Sequence, residues 1–200
     1  MYIIVKFFYC LILLTAIVSC RQSTSDKSQH SNDVSETNRY TELLKNDVIT
    51  QAMINSEADS TVDDLIFTNI YTNFHATKTS TISDCKKEFL KFTIPQQEFY
   101  STAVIESYIL DGGFITYFID FNIAGQFSND ASKAYKRFNL PKLASIINDA
   151  ENAYNSKQNG YELVLRILDN FFLDEIKLKR PGSYRIKLIR QNTDSFTVAR

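Results

Sequence analysis

The fold is decided by the stretch Tyr108-Ile109-Leu110-Asp111-Gly112-Gly113-Phe114-Ile115-Thr116-Tyr117-Phe118, where two of the chain's five glycines stand side by side between apolar runs. A glycine at the end of a helix can take the left-handed conformation that closes it, and a second glycine lets the next segment leave at a sharp angle. The pattern therefore predicts a helix, a tight Gly-Gly corner and another helix. The aromatic side chains on both sides, among them Phe114, Tyr117 and Phe118, are expected to lie in the core.

The chain of 200 residues has the length of one domain with an appendage. Its hydrophobic fraction of 44% and aromatic fraction of 13% suffice for a core without disulfides. From Tyr40 onward apolar residues recur at three- and four-residue spacings, which is typical of amphipathic helices. We predict one all-α domain over residues 40–200, a single globular bundle of about seven or eight helices.

The apolar period also locates individual helices. The first apolar stripe consists of Tyr40, Leu43, Leu44, Val48, Ala52 and Met53. The second helix is expected to begin at Thr61 and to bury Val62, Leu65, Ile66, Ile70 and Phe74. Ser128 is expected to be the N-cap of a later helix. In the helix predicted at 161–173, the apolar face consists of Val164, Ile167, Leu168 and Phe171. Residues 183–190 alternate as a strand would, but a lone strand would lack a partner, so we expect a final helix there.

Residues 1–19 have the pattern of a bacterial signal peptide. The segment begins with a short positively charged region that ends at Lys6, continues with an apolar run and ends in small residues before the cleavage site. The segment Ile17-Val18-Ser19-Cys20 is similar to a lipobox, which requires the Cys20 thiol because the diacylglyceryl group is attached through sulfur. The alternative is a plain membrane helix over residues 2–19, near the lower length limit for crossing a bilayer. We favour the lipoprotein because the lipobox pattern is fairly specific and the helix would be short. Two or three acyl chains on one residue would anchor the protein durably.

Residues 20–39 are predicted to be the lipidated cysteine and a flexible tether. Val34 is the one aliphatic residue among positions 21–39, which are rich in Ser, Asn, Gln and Asp and too polar to form a core. Arg21 stands where an aspartate holds some lipoproteins in the inner membrane, so we expect a cell-envelope protein of the outer membrane. Cys10 would be removed with the signal peptide, and Cys20 would carry the lipid. We therefore expect the remaining cysteine, Cys85, to be a small buried apolar residue and not a reactive thiol.

Residues 95–155, with a looser tail to 196, resemble the C-terminal domain of the bacterial DNA-mimic protein family. The most specific part of the likeness is the corner Gly112-Gly113-Phe114 followed by Tyr117-Phe118. The other matching segments are the loop to Gly125, residues 131–138 and 140–150, Leu168-Asp169-Asn170-Phe171 and residues 191–196. The resemblance implies an all-α core over 95–196. It also implies a protein partner, since the founding mimic occupies the DNA-binding face of a helix-turn-helix repressor.

Around the corner the sequence departs from the family pattern. Asp111 stands where the family has asparagine and Thr116 where it has a polar amide, while Asp120 or Asn122 takes the place of an asparagine that follows the Tyr-Phe pair. These four residues form our candidate contact region for a protein partner. For Asp111 we also expect a structural role, in which its carboxylate accepts hydrogen bonds from backbone N–H groups at the corner.

Charge is unevenly distributed along the chain. Residues 31–130 hold 15 acidic and 6 basic side chains, a net of −9, whereas residues 131–200 hold 7 and 13, a net of +6. The split indicates either solvated helix faces that pair across the fold or a dipolar surface that steers a charged protein partner. The chain's formal net charge is −1, whereas a DNA duplex carries one charge per ~1.7 Å of axis. An exported lipoprotein also does not meet a cytoplasmic repressor, so we do not expect DNA mimicry.

The common catalytic and metal-binding motifs are absent from the sequence. It contains no His-Glu-x-x-His, Cys-x-x-Cys, Gly-x-x-x-x-Gly-Lys or Gly-x-Ser-x-Gly, so we expect no metal and no cofactor. The runner-up function is a hydrolase-type enzyme that uses Asp111 and Asp120 as an acid–base pair with separated pKa values. Basic residues interleaved with Tyr184 could bind nucleic acid or anionic headgroups. We favour the polar face of a terminal helix and expect no nucleic-acid partner.

We therefore expect a lipid-anchored envelope protein that binds another protein and is not an enzyme. A specific form of this hypothesis is an inhibitor or immunity protein that neutralises a toxin arriving in the periplasm.

Changing Cys20 to serine is expected to abolish lipid attachment, because serine offers no sulfur to the diacylglyceryl group. Metabolic labelling with a clickable fatty acid, combined with membrane fractionation, checks this outcome. Cys10→Ser is the matched control and should keep full labelling. If the parent chain stays in the membrane without taking up the label, the plain membrane helix is correct instead.

Overall fold

The computed structural model describes residues 49–76, 82–119 and 127–197, all of which belong to one compact unit. These ranges contain helices and no strand, which confirms the all-α prediction. None of the helices in the described ranges is long and apolar enough to span a bilayer. The predicted signal peptide, Cys20, the tether and the first part of the stripe, from Tyr40 to Val48, lie outside the described residues.

Nine helices occupy the described ranges, one or two more than expected. They are α1 (Gln51–Ser56), α2 (Asp59–Ala76), α3 (Ile82–Phe89), α4 (Ile94–Ile119), α5 (Ser128–Arg137), α6 (Pro141–Ser156), α7 (Tyr161–Lys179), α8 (Gly182–Gln191) and α9 (Thr193–Phe196). The long α4 is central, since it packs against α2 and against each of α5 to α9. α6 in turn packs against both α5 and α7. The helix expected at 183–190 is confirmed as α8.

Three helix starts differ from the sequence-based expectation. Thr50 has extended backbone and caps α1 by accepting a hydrogen bond from the Met53 N–H at 3.2 Å, so the stripe from Tyr40 to Met53 is not one continuous helix. α2 begins at Asp59, two residues before Thr61. Ser128 is the buried first residue of α5, and the N-cap is Phe127. The Phe127 ring packs 4.4 Å from that of Phe89, so core packing takes the place of a polar cap.

Aromatic side chains fill the core before the corner as well as after it. The predicted inner face of α2, from Val62 to Phe74, is buried. Tyr100 of α4 lies 5.6 Å from Phe74 of α2 and 5.7 Å from Phe127, measured between ring centroids. Cys85 of α3 is buried. Aromatic packing therefore joins α2, α3 and α4 to the start of α5.

The inner face of α7 is not the face that the sequence pattern predicted. Leu165 and Phe172 are fully buried, and Leu168 is half-buried. Val164, Ile167 and Phe171 are 45%, 45% and 54% exposed. The prediction for these three residues is therefore wrong. Apolar side chains lie on two faces of this helix, and periodicity alone cannot tell which face meets the core.

The corner in α4 is made by Gly113, as the doubled glycine predicts. Its backbone angles, φ 76° and ψ −178°, lie inside an otherwise helical element, in a region that is essentially restricted to glycine. A Cβ at this position would also overlap the carboxylate of Asp169 on α7. Gly112 stays helical, but a Cβ there would overlap the side chain of Thr116. Each glycine is thus required for a different reason.

A buried ion network joins α8 to α2, α4 and α5. Arg185 Nε and Nη2 donate to the two carboxylate oxygens of Asp63 at 3.1 and 3.3 Å. Nη1 lies 2.7 Å from Glu106 Oε1 as an ion pair without hydrogen-bond geometry. The same Glu106 oxygen accepts a hydrogen bond from the Tyr135 hydroxyl at 2.7 Å. Burial, with the Glu106 carboxylate beside it, raises the pKa of Tyr135 well above its ordinary value, so its hydroxyl remains a donor.

Replacing Gly113 with alanine is expected to destabilise the fold strongly. The backbone conformation alone should cost about 1–3 kcal/mol, and displacing Asp169 should add to that cost. Gly160→Ala is the comparison variant. Gly160 also has positive φ (84°), but with ψ 6° it lies in the left-handed region that other residues reach at lower cost, and a Cβ there would meet no atom within 4 Å. Urea denaturation measures both variants, and a loss of unfolding free energy at Gly113 no larger than that at Gly160 would contradict both the glycine-restricted backbone and the overlap with Asp169.

Replacing Arg185 with methionine should cost roughly 3–5 kcal/mol, because it leaves two carboxylates of the buried network unpaired. Arg190→Met on the same helix is the control. Its pair with Asp59 is solvent-exposed, so its loss should cost at most about 1 kcal/mol. Chemical denaturation compares the two variants, and a small effect at Arg185 would show that the network contributes little.

Candidate functional site

The corner is fixed from the inside by a carboxylate that lies far away in sequence. The Phe114 N–H donates to Asp169 Oδ1 at 2.7 Å. Because Gly113 is not helical, this N–H belongs to the broken part of α4, and a buried N–H without a partner would be costly. Burial raises the pKa of Asp169, while the Phe114 N–H and Arg166 act in the opposite direction. The hydrogen bond to Asp169 therefore holds α7 against the corner of α4.

This contact corrects the structural role expected for Asp111. Asp111 is exposed. The Phe114 N–H at the corner donates its hydrogen bond to Asp169 and not, as expected, to Asp111. The sequence offered one signal, since Leu168-Asp169-Asn170-Phe171 is among the segments that resemble the family. No spacing rule, however, could connect Asp169 with a glycine on another helix, because their proximity arises only when α4 and α7 pack.

Thr116 forms a hydrogen bond with the corner on its solvent-exposed side. Its hydroxyl donates to the Gly112 carbonyl oxygen at 2.8 Å, and its side chain is exposed. The hydroxyl oxygen keeps acceptor capacity after this donation. Thr116 therefore adopts a defined orientation and can still accept a hydrogen bond from another molecule.

Five exposed residues flank the bend, and we call them together the corner surface: Leu110, Asp111, Gly112, Thr116 and Ile119. Leu110 is 66% and Ile119 57% exposed, which is high for large apolar side chains. Two predicted contact residues, Asp111 and Thr116, thus lie on it together. The other two, Asp120 and Asn122, lie outside the described residues.

Below the corner surface, the aromatic residues of the motif form a rigid support. Phe114, Tyr117 and Phe118 are buried, as predicted. Phe114 packs edge-on against Phe172 of α7 with 5.6 Å between ring centroids, and Phe118 stacks on Tyr154 of α6 at 4.9 Å. None of the described residues forms a hydrogen bond with the buried Tyr117 hydroxyl, and burial raises the pKa of Tyr117 well above its ordinary value.

Asp120, the other member of the acid–base pair predicted with Asp111, lies outside the described residues. Asp169 is occupied by the Phe114 N–H. In the described ranges no group of three or more His, Cys, Asp or Glu side chains could hold a metal ion. The described part of the corner therefore offers exposed polar and apolar side chains for contact with another molecule.

The uneven charge of the sequence is partly neutralised by pairing across the fold. Acidic residues of the first part, Asp59, Asp63, Glu98 and Glu106, pair with basic residues of the second part, Arg137, Arg185 and Arg190. These residues therefore fit the first interpretation of the charge split, in which charged helix faces are solvated and pair across the fold. A dipolar surface, if present, would have to be built from the charges that remain.

The basic and aromatic residues near the C-terminus do not form one continuous binding strip. Arg185 is buried in the ion network, and Arg190 pairs with Asp59. Tyr184 stacks on Phe138 with 6.3 Å between ring centroids. The stretch is therefore divided between structural contacts and the polar faces of α7 and α8.

Comparison with known proteins adds a family to this geometry. Residues 90–180 match the sequence profile of the family described as "DMP19-like protein". No curated protein and no solved structure matches the chain. The matched range contains all of α4 to α7, and with them the corner, Asp169 and the corner surface. The resemblance to DNA-mimic proteins is thereby confirmed over residues 90–180.

Proposed function

We propose that this protein is a lipid-anchored envelope protein whose DMP19-like domain binds another protein through the corner surface and has no catalytic role. The observation that carries the proposal is the corner surface itself. It combines two highly exposed apolar side chains, Leu110 and Ile119, with the exposed polar residues Asp111 and Thr116. Mixed surfaces of this kind, with apolar anchors beside a few polar groups, are typical of protein–protein contacts.

The rigidity of the corner supports a binding role. Gly113 allows the bend, and the Asp169 contact and the buried aromatic residues fix the backbone there. A surface that is already ordered loses little conformational entropy when a partner binds, which favours affinity. The Asp111 carboxylate suits a partner that presents a lysine or arginine next to an apolar patch.

Charge mimicry of a DNA duplex is not part of this proposal. A duplex presents one charge per ~1.7 Å of axis, whereas four carboxylates of the acidic part of this chain are paired with arginines. Recognition by shape and a few polar contacts agrees better with the formal net charge of −1. The exported location that we propose also points to a partner other than a cytoplasmic repressor.

The N-terminal features predicted from the sequence favour binding at a membrane. A lipid on Cys20 would anchor the chain, and the tether of about 19 residues would reach at most roughly 65 Å when extended. Arg21 favours the outer membrane. A protein that binds others at this location fits an inhibitor or immunity protein directed against an incoming toxin.

Reversing the charge of Asp111 with Asp111→Arg, alone and with Asp120→Arg, should release the bound partner. Affinity capture of the tagged full-length chain from its native membrane, followed by mass spectrometry, identifies the partner and its loss. We expect recovery to fall roughly tenfold or more, as is common when a central contact is reversed.

Asp149→Arg on α6 is the matched control, since it reverses another exposed carboxylate on a helix of the same domain. This variant should retain the partner. Retention of every captured protein by the Asp111→Arg and Asp120→Arg variant would overturn the assignment of the corner surface. A hydrolase activity that requires both Asp111 and Asp120 would favour the enzyme instead.

A further inference from the structure

Two turns between helices lie side by side at one end of the bundle. The turn from α5 to α6 contacts the start of α8, since Phe138 stacks on Tyr184 with 6.3 Å between ring centroids. Lys142 Nζ at the start of α6 also lies 2.8 Å from Glu175 Oε2 near the end of α7. The sequence separates these helix ends, and only the packing of α5 to α8 brings them together.

Five exposed basic residues occupy these two turns and the helix ends beside them. We call them the basic end: Lys136, Arg137, Lys142, Lys179 and Arg180. Two buried acidic side chains partly neutralise this group, since Glu98 pairs with Arg137 and Glu175 pairs with Lys142. Within the described ranges no acidic side chain forms a salt bridge with Lys136, Lys179 or Arg180. The basic end therefore has a surplus of positive charge.

Helix capping does not account for all of this charge. Basic residues in the last turn of a helix offset the partial negative charge of its C-terminus, which explains cations at the ends of α5 and α7. Lys142, however, lies in the first turn of α6, where the helix dipole disfavours a cation. The exposed Asp174 of α7 is five positions from Lys179, or about 140° around the helix axis, and so lies on another side.

Two large apolar side chains are exposed at the same end of the bundle. Ile94 is 60% exposed at the start of α4, one turn before Glu98, the partner of Arg137. Leu178 is 70% exposed and directly precedes Lys179. Surfaces that combine exposed apolar side chains with lysine and arginine bind anionic bilayers, because the cations meet phosphate groups while the apolar side chains enter the interface.

We propose that the basic end docks on the anionic headgroups of the membrane to which the chain is anchored. This inference rests on the membrane anchor proposed above for the location of the contact. Charge complementarity favours an anionic surface, and a bilayer suits this end better than a nucleic acid, since a phosphate backbone offers no apolar layer for Ile94 and Leu178. A bilayer surface can also meet cations that three different helices carry.

Docking in this way orients the corner surface away from the membrane. Leu110 lies about 24 Å from Ile94 along α4, at 1.5 Å per residue, because this part of the helix has no interruption. The end of α4 packs at the far end of the bundle, where Phe118 stacks on Tyr154 near the end of α6. The corner surface therefore stays accessible to a protein partner while the basic end is on the bilayer.

Lysine acylation of the full chain in vesicles tests this docking. The chain is reconstituted in vesicles of phosphatidylcholine alone or of phosphatidylcholine with phosphatidylglycerol, treated with an N-hydroxysuccinimide ester and analysed by mass spectrometry. Lys136, Lys142 and Lys179 should be labelled severalfold less on the anionic vesicles. Lys157 is the internal control, since its Nζ lies 4.0 Å from the Tyr154 ring at the far end of the bundle, and its labelling should not change.

Salt dependence and flotation complete this test. At about 1 M salt, where the Debye length falls to roughly 3 Å, the protection should largely disappear. Equal labelling of the three lysines on neutral and anionic vesicles would overturn the proposal. Flotation judges the anchor separately, because a chain that does not float with neutral vesicles contradicts the anchor, while its labelling with anionic vesicles still reports on the basic end.

Two substitutions identify the residues responsible and separate a bilayer from an acidic protein. Lys179→Glu should raise labelling of Lys136 and Lys142 on anionic vesicles severalfold, whereas Lys157→Glu, the matched control, should leave their protection intact. Leu178→Ser should weaken the protection as well, because serine removes the apolar contact without changing the charge. Circular dichroism confirms that each variant is folded. Protection that soluble polyglutamate reproduces on neutral vesicles, and that Leu178→Ser leaves unchanged, would indicate an acidic protein partner and refute docking on a bilayer.

Discussion

The hydrogen bond from the Phe114 N–H to Asp169 is the contact on which the architecture around the corner depends. Gly113 interrupts the helical hydrogen-bond pattern of α4, and an interrupted helix leaves backbone donors that must find partners elsewhere. The partner here comes from a helix 55 residues later in the chain. One interaction therefore allows the bend and joins α4, which carries the corner surface, to α7.

The buried ion network has a comparable role between the two ends of the described chain. Arg185 near the C-terminus contacts Asp63 in α2 and Glu106 in α4. A buried arginine is retained only if its charge is matched and its donors are used. The network therefore specifies where α8 packs. It also removes two carboxylates from the surface, which lowers the negative charge available for any mimicry of DNA.

One exposed surface follows from this architecture. The corner surface combines polar and apolar residues around a bend that the Asp169 contact and the buried aromatic residues fix. We assign this surface to contact with a different protein.

The sequence by itself determined the all-α class, the bend at Gly112-Gly113, the burial of Phe114, Tyr117 and Phe118, and the helical form of α8. These properties depend on local spacing and on the conformational range of glycine, which act within a few residues. The boundaries of α1, α2 and α5 were less predictable, because the caps compete with core packing by residues such as Phe127.

Only the tertiary structure decided that Asp169, and not Asp111, binds the corner, and that α7 turns Leu165 and Phe172 inward while Ile167 and Phe171 remain exposed. It also decided that the acidic and basic parts of the chain pair through Arg137, Arg185 and Arg190. The physical reason is the same in each case. These outcomes depend on which helix faces meet, and periodicity identifies the apolar faces of a helix without specifying the neighbour that covers each one.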